Sequence, residues 1–295
     1  MTTTSLHRRQ RHFQVRRDGS PNRRQRLVFI AEHSIALVLA AAFLVPFLFI
    51  ILTALMTDAQ ALSPRLWPSP FRWGNVNDVL ARTDLWRYAF NTMIYAVLST
   101  AGVLLSSIPV AYALSRLRWR GRNLALLVVL AAMMLPSQVT VVPQYVMFAK
   151  LHLVGSLAPL VVPNFFGDAF SIFLLRQFFL TIPEDYADAA RVDGAGEWRI
   201  LLTIIVPLAK PAIAAVGLFS FLYAWNDFFG PLLYVGESQQ SWTLSVALAN
   251  FRSLYHVQWN LTMAATLLFM APVVLLFFAA QKAFVEGVTL TGVKG

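Results

Sequence analysis

The chain has 295 residues, 58% hydrophobic and only 13% charged, with a positive mean hydropathy. Soluble domains carry about 25% charged residues, so there is too little charge here to cover a water-facing surface, and the composition reads as an integral membrane protein. The net charge of +10 would suit nucleic acid, but the basic residues are loop residues beside apolar runs. There is no cysteine, which excludes a disulfide framework, a thiolate metal site and a cysteine nucleophile. His7, His12, His33, His152 and His256 are scattered, none at metal-ligand spacing, and no G-x-x-x-x-G-K-[ST] occurs. If ATP drives this protein, another subunit binds the nucleotide.

Residues 1–29 form a basic tail holding Arg8, Arg9, Arg11, Arg16, Arg17, Arg23, Arg24 and Arg26. With little apolar content and no period, disorder is expected at least to Asn22. Such a segment either binds anionic head groups or is a solvated tail that fixes orientation; the second reading is simpler. Residues 30–56 are the first apolar run. Ala59-Gln60-Ala61 resembles a signal cleavage site, but a signal core is about 7–15 residues long, so a retained helix is expected, kinked at Pro46. A mixed, turn-rich stretch follows, with Trp67, Trp73 and Trp86 suited to a membrane interface.

Further apolar runs cover 90–115, 124–148, 157–180, 205–235 and 261–281. Each exceeds or approaches the roughly 20 residues of a span, so residues 30–285 read as an all-α, six-helix transmembrane domain. With the N-terminus inside, eighteen of the 24 Lys and Arg fall on inner segments and six on outer loops. That is the bias of the positive-inside rule, and it places both termini and residues 181–204 in the cytoplasm.

The segment 181–204 reads as helix, turn, helix. Pro183 suits a first turn, Glu184 and Asp185 complement the helix dipole, and Gly194 closes the helix in the left-handed conformation. Tyr186, Ala189, Ala190 and Asp193 recur at helical spacing. The chain then restarts at Glu197 and runs as an apolar helix towards Pro207. Asp188-Ala189-Ala190, Gly194, nine further residues, then Ile204, Val206 and Pro207 resemble the "EAA" motif of ABC importer permeases, with Asp for the usual Glu and Val for the usual Leu. Phe90-Asn91-Thr92, the run Ala111 to Arg116, Leu135-Pro136 and Trp225-Asn226-Asp227 look like the carbohydrate branch. The ending from Phe284 to Gly295 resembles the C-terminal signature of subunits similar to the second maltose permease, although Glu286 stands where a basic residue is often found.

The resemblance covers roughly residues 30–295. It implies a type I, MetI-like permease bundle whose Asp188, Ala189, Ala190, Asp193, Gly194, Ile204 and Pro207 form a cytoplasmic coupling segment. It also implies a tail, 286–295, that reaches the ATPase subunits through Gly292, Lys294 and Gly295. The implied partners are a homologous permease forming a heterodimer, two ATPase subunits that bind ATP and Mg, an extracytoplasmic solute-binding protein and the bilayer of a bacterial or archaeal cytoplasmic membrane. No nucleic acid is expected, nor any cofactor or enzymatic activity in this chain.

Polar residues inside spans are default functional candidates. Trp225, Asn226 and Asp227 either contact sugar or make helix–helix hydrogen bonds. Gln138, with Ser137, Thr140 and Gln144, either lines the path or satisfies backbone freed by proline. Asn164 and Asp168 are further candidates. The outer loop 236–260, with Trp242, Tyr255, His256 and Trp259, either enters the binding protein, as the resemblance implies, or forms an aromatic belt. With no Lys or Arg deep in a span, a neutral di- or oligosaccharide is the expected solute. Glycerol 3-phosphate and an amino sugar are alternatives within the class. An ion-coupled secondary transporter would have only Asp168 and Asp227 as buried carboxylates, and a membrane enzyme would need a His and carboxylate cluster that is absent from the sequence.

Overall fold

The computed structural model describes residues 23–254 and 258–292, and the backbone alone at 23–26, 137, 251–254, 276 and 279–292. Residues 1–22, for which disorder was expected, and Tyr255, His256, Lys294 and Gly295 lie outside the described residues. Every regular element among those described is helical.

Residues up to Phe49 form one unit and those from Ile50 another. The first is most of α1 (Arg23–Ala54), which contains Pro46 and exposes side chains on every side from Leu27 to Phe49. A helix apolar all round belongs in a membrane.

In the second unit, α2 (Asp58–Ala61) is capped by a reciprocal Thr57–Gln60 box. Buried Asn75 opens α3 (Asn75–Arg82). Its amide donates to the carbonyls of Ala54 at 2.7 Å and Met56 at 2.8 Å, fastening the turn-rich stretch to the end of α1. The chain then enters α4 (Leu85–Ser115), which buries small residues such as Ala96, Ser99, Gly102, Ser107 and Ala111. Small side chains let helices approach closely, and α4 becomes the post against which the others pack.

The run expected as one span at 124–148 is instead α5 (Arg122–Met133) and α6 (Ser137–Lys150), bent by 96°. Pro136 lacks an N–H and pushes Leu135 out of the helical region. After α7 (Ala158–Val161), a 3-10 turn (Val162–Phe166) and Gly167 at φ 105° lead into α8 (Ala169–Thr181). The polar segment forms α9 (Asp185–Val192).

The expected single apolar helix beyond it is broken as well. It runs as α10 (Glu197–Ile200), a π turn (Leu201–Ile205) and α11 (Val206–Leu208), then bends by 81° into α12 (Lys210–Asn226). Pro207 and Pro211 each remove a donor from the ladder. A second break at Asp227-Phe228 separates α13 (Phe229–Val235). The loop after α13 contains α14 (Leu244–Leu254), and α15 (Trp259–Gly292) continues through the expected sixth span into the tail. Among the described residues, three helices are long and apolar enough to span a membrane, or five with each bent pair counted once. Trp259–Leu275 is a shorter apolar helix.

Packing is centred on α4, against α8, the 3-10 turn and α12. One core joins Tyr112, Phe179, Ala187, Ile200 and Ile205 near α9, and another joins Tyr95, Leu160, Trp225 and Tyr234 at the opposite end. Between them Gly102 lets the 3-10 turn lie against α4, since a Cβ there would sit 2.8 Å from the Phe165 ring and 3.1 Å from the Asn164 carbonyl carbon. Gly102→Val is expected to lower stability by about 1–3 kcal/mol through overpacking, read as a lower Tm of the purified protein in detergent; an unchanged Tm would show that the contact is not tight.

Candidate functional site

α9 is a short helix whose position is set by its surroundings. The carbonyl of Glu184 accepts the N–H groups of Ala187 and Asp188, and the helix ends in a Schellman motif. There the Ala195 N–H reaches the Ala190 carbonyl at 2.9 Å and the Gly194 N–H reaches Arg191 at 3.0 Å. Gly194 has φ 80°, as its place in the sequence predicts. Ala187 is 1% exposed and packs in the core with Phe179, Ile182 and Ile200.

Two arginines hold this helix to the bundle. Arg116, at the end of α4, donates to the carbonyls of both Phe179 and Ile182, so it fixes the link between α8 and α9. Burial holds its guanidinium below the ordinary value, with Glu184 acting the other way. Arg191, in the last turn of α9, bridges Asp188 at 2.7 Å and Glu197 at 2.9 Å. Hydrogen bonding to Glu197 raises the Arg191 pKa, against burial and with help from Asp188. Glu197 in turn accepts from the Tyr112 hydroxyl at 2.5 Å. The Asp188 end of this chain is exposed and contributes little alone. The Tyr112 end is buried in α4, so the chain ties α9 and α10 to that helix.

Of the residues singled out from the sequence, Asp188, Ala189, Asp193 and Gly194 are exposed. Ala190 is not on that face; it is half-buried against the core, as is Ile204 in the π turn. Pro207 is exposed beside the bend. The outward surface combines Tyr186 (55% exposed), Val192 (87%) and Trp198 (69%) with Ala189. Sequence reasoning missed Arg116, Arg191, Glu197 and Tyr112 as bracing groups. The available signal was the opposite charge of Arg191 and Glu197 on either side of the glycine turn.

The span candidates separate. Trp225 is buried and stacks on Phe221 at 5.6 Å. Asn226 is exposed and donates to the Leu222 carbonyl one turn back. Gln138 is exposed on α6. Asp227 sits in the break between α12 and α13, where its carboxylate accepts the Tyr95 hydroxyl at 2.8 Å and the Gly230 N–H at 3.2 Å. Its carbonyl accepts Ser245 at 2.7 Å. Asp227 therefore has the helix–helix bonding role open to it from the sequence. Asn164 alone of the five lines a mid-span cavity of about 580 Å³. In the loop between α13 and α14, Trp242 is half-buried against Tyr88 and donates to the Gly236 carbonyl. Asn91 donates to the carbonyls of Gln240 and Trp242, and Thr92 accepts the Leu244 N–H, so the Asn91-Thr92 pair anchors this loop.

Against known proteins, residues 102–290 match the family described as binding-protein-dependent transport system inner membrane component. The chain is 34% identical over 233 residues to the sn-glycerol-3-phosphate transport system permease protein UgpE of Pectobacterium atrosepticum, covering 75% of this chain and 81% of that protein. It is 32% identical over 209 residues to the arabinooligosaccharides transport system permease protein AraQ of Bacillus subtilis, covering 71% and 74%. In fold it resembles a chain in the crystal structure of a bacterial ABC transporter involved in the import of the acidic polysaccharide alginate. The TM-score is 0.77 at 24% identity, over 90% of this chain and 99% of that one.

Asp227→Asn keeps an oxygen for the Gly230 N–H and turns its amide nitrogen to the Tyr95 hydroxyl oxygen, which then accepts, and it is expected to leave the Tm within a few degrees of the parent. Asp227→Leu strands two buried donors at about 1–3 kcal/mol each and is expected to lower it clearly. Equal losses in the two variants would show that the charge, not the acceptor geometry, holds the break.

Proposed function

This chain belongs to the family of binding-protein-dependent transport system inner membrane components, and from that membership we propose that it is the permease subunit of an ATP-binding-cassette importer for a saccharide. The observation that carries the coupling role is α9. It is a braced helix with an exposed face of Tyr186, Ala189 and Val192, at the end of the bundle where the basic loops gather. A partner ATPase docking there meets a low-relief apolar surface set within charged groups.

The inner side is the side of residues 116–122 and 181–204, as the charge bias of the loops supports. Counting α1, α4, the α5–α6 pair, the α7–α8 segment, the bent unit from α10 to α13, and α15 gives six crossings. The outer side then presents the anchored loop 236–254 to a solute-binding protein. ATP and Mg belong to the two ATPase subunits, since this chain has no P-loop. A second, homologous permease completes the transmembrane unit, and the tail around Gly292, Lys294 and Gly295 is assigned to the same ATPase contact.

Mechanically, a force on α9 cannot dissipate in a loose loop. Ala187 transmits it to the core of α8 and α10, Arg116 and the Arg191–Glu197–Tyr112 chain transmit it to α4, and the bend at Ala209 lets α12 pivot. Packed cores shift between discrete arrangements instead of deforming smoothly, so closure of the ATPase pair rocks the bundle from outward- to inward-facing.

The test is ATPase activity of the assembled complex in nanodiscs with its binding protein and a panel of neutral sugars, uronates and glycerol 3-phosphate. Stimulation by a neutral sugar only when the binding protein is present is expected. Gly194→Pro, which cannot adopt φ 80°, is expected to abolish uptake in proteoliposomes. Hydrolysis indifferent to every solute, or normal uptake by Gly194→Pro, would contradict the reading.

A further inference from the structure

The residues from Arg116 to Arg122 that join α4 to α5 include four arginines. Leu85–Ser115 is long and apolar enough to span a membrane, so this loop begins where that span ends, at the depth of lipid head groups. Arg116 is buried and committed to two backbone carbonyls. Arg118 and Arg120 are exposed and Arg122 is half-buried. None of these three forms an ion pair among the described residues.

The loop shapes a cavity of about 410 Å³, lined by Arg118, Trp119, Gly121, Arg122, Asn123 and Leu124. Arg122 donates to the Leu117 carbonyl at 3.3 Å and the Trp119 indole N–H to the Ala113 carbonyl at 3.1 Å, which folds the loop back onto the end of α4. Gly121 turns the chain at φ 94°, with the Trp119 ring 3.5 Å from where its Cβ would stand. Two guanidinium groups and the Asn123 amide supply donors, and no carboxylate is among the lining residues. The adjoining cavity of about 710 Å³ sets Arg116, Arg118 and Arg191 against Glu184, Asp188 and Glu197, so its charges are compensated within the chain. Those of the smaller cavity are not.

The surface beyond the cavity selects the kind of anion. Leu124, at its edge, begins an exposed strip of Leu124, Leu127, Val128 and Ala131 on α5. These positions recur at spacings of three and four and share one face, over about 10 Å of helix. A cationic pocket that runs into an apolar strip at the edge of a membrane fits an amphiphile. Guanidinium forks suit phosphate oxygens, basic pockets at the ends of spans attract anionic head groups, and a tryptophan is at home at the same level. A soluble phosphate ester would use the arginines and leave the strip bare.

We propose that residues 118–131 form a binding site for an anionic phospholipid, its phosphodiester held by Arg118 and Arg122 and an acyl chain lying on the strip from Leu124 to Ala131. The site goes beyond the importer reading and is independent of the solute carried.

The test places the full chain, with the subunits that co-purify with it, in phosphatidylcholine nanodiscs doped with phosphatidylglycerol that carries a diazirine close to its head group. Cross-linked peptides are mapped by mass spectrometry, and the same diazirine on phosphatidylcholine is the reference. Labelling of residues 118–131 should be about ten-fold stronger from phosphatidylglycerol, since each arginine near the surface contributes roughly a five-fold factor in binding. Arg118→Gln combined with Arg122→Gln should erase that difference, and excess soluble glycerol 3-phosphate should leave it unchanged in the parent. Equal labelling by the two lipids, a difference confined to residues 1–26, or a difference that survives in the glutamine pair overturns the site. Loss of the difference to the soluble ester overturns the lipid assignment in favour of a free phosphate ester. The two lipids are compared on the parent chain, so that result decides the proposal even where the glutamine pair fails to fold.

Discussion

A buried guanidinium at the end of α4 is the constraint on which the α9 end of the structure depends. Arg116 has left water, and its compensation is two backbone carbonyls, of Phe179 and Ile182, at the point where α8 gives way to the polar segment. A hydrogen bond to a charged group contributes about 1.5–3 kcal/mol, so the link cannot drift without a penalty. Arg176 repeats the device one turn earlier, donating to the Leu114 carbonyl at 3.1 Å. The helix pair α4 and α8 is thus clamped where α9 begins. Ala187 then needs only a small side chain to sit in the same core, which is why an alanine suffices at that position.

The opposite half is organised differently. Its apolar core around Trp225 and Tyr234 is interrupted by the break at Asp227, and Gly230 is the residue that admits the carboxylate, since a Cβ there would lie 2.6 Å from it. The loop between α13 and α14 is fastened by Asn91 and Thr92 to α4. Rigid anchorage at both ends of α4, with bends at Ala209 and Asp227 between, gives a post with a jointed arm.

Much of this is legible in the sequence, for physical reasons. A left-handed glycine closing a helix leaves a local signature, and Gly194 shows it. Long apolar runs announce spans, but they do not show where prolines break them: the runs at 124–148 and 205–235 look continuous because Pro136, Pro207 and Pro211 leave the hydropathy unaltered. Long-range polar pairing is invisible to periodicity. Asn75 reads as a turn former and is in fact a buried clip. Asp227 reads equally as a sugar ligand and as a helix bond until Tyr95 is seen opposite it, 132 residues away in sequence. Arg116 reads as one of four loop arginines, and nothing local distinguishes it from Arg118 or Arg120.

The coupling proposed for α9 requires the Arg191–Glu197–Tyr112 chain to carry its motion to α4. The most direct measurement is solute transported per ATP hydrolysed in proteoliposomes for Arg191→Glu, Glu197→Arg and the two together. Each single change is expected to lower this ratio several-fold, in line with coupling energies of about 1–3 kcal/mol, and the exchanged pair to recover much of it. Single variants that hydrolyse and transport at the parental ratio would show that the brace carries no force, and that α9 acts through packing at Ala187 and the Arg116 clamp.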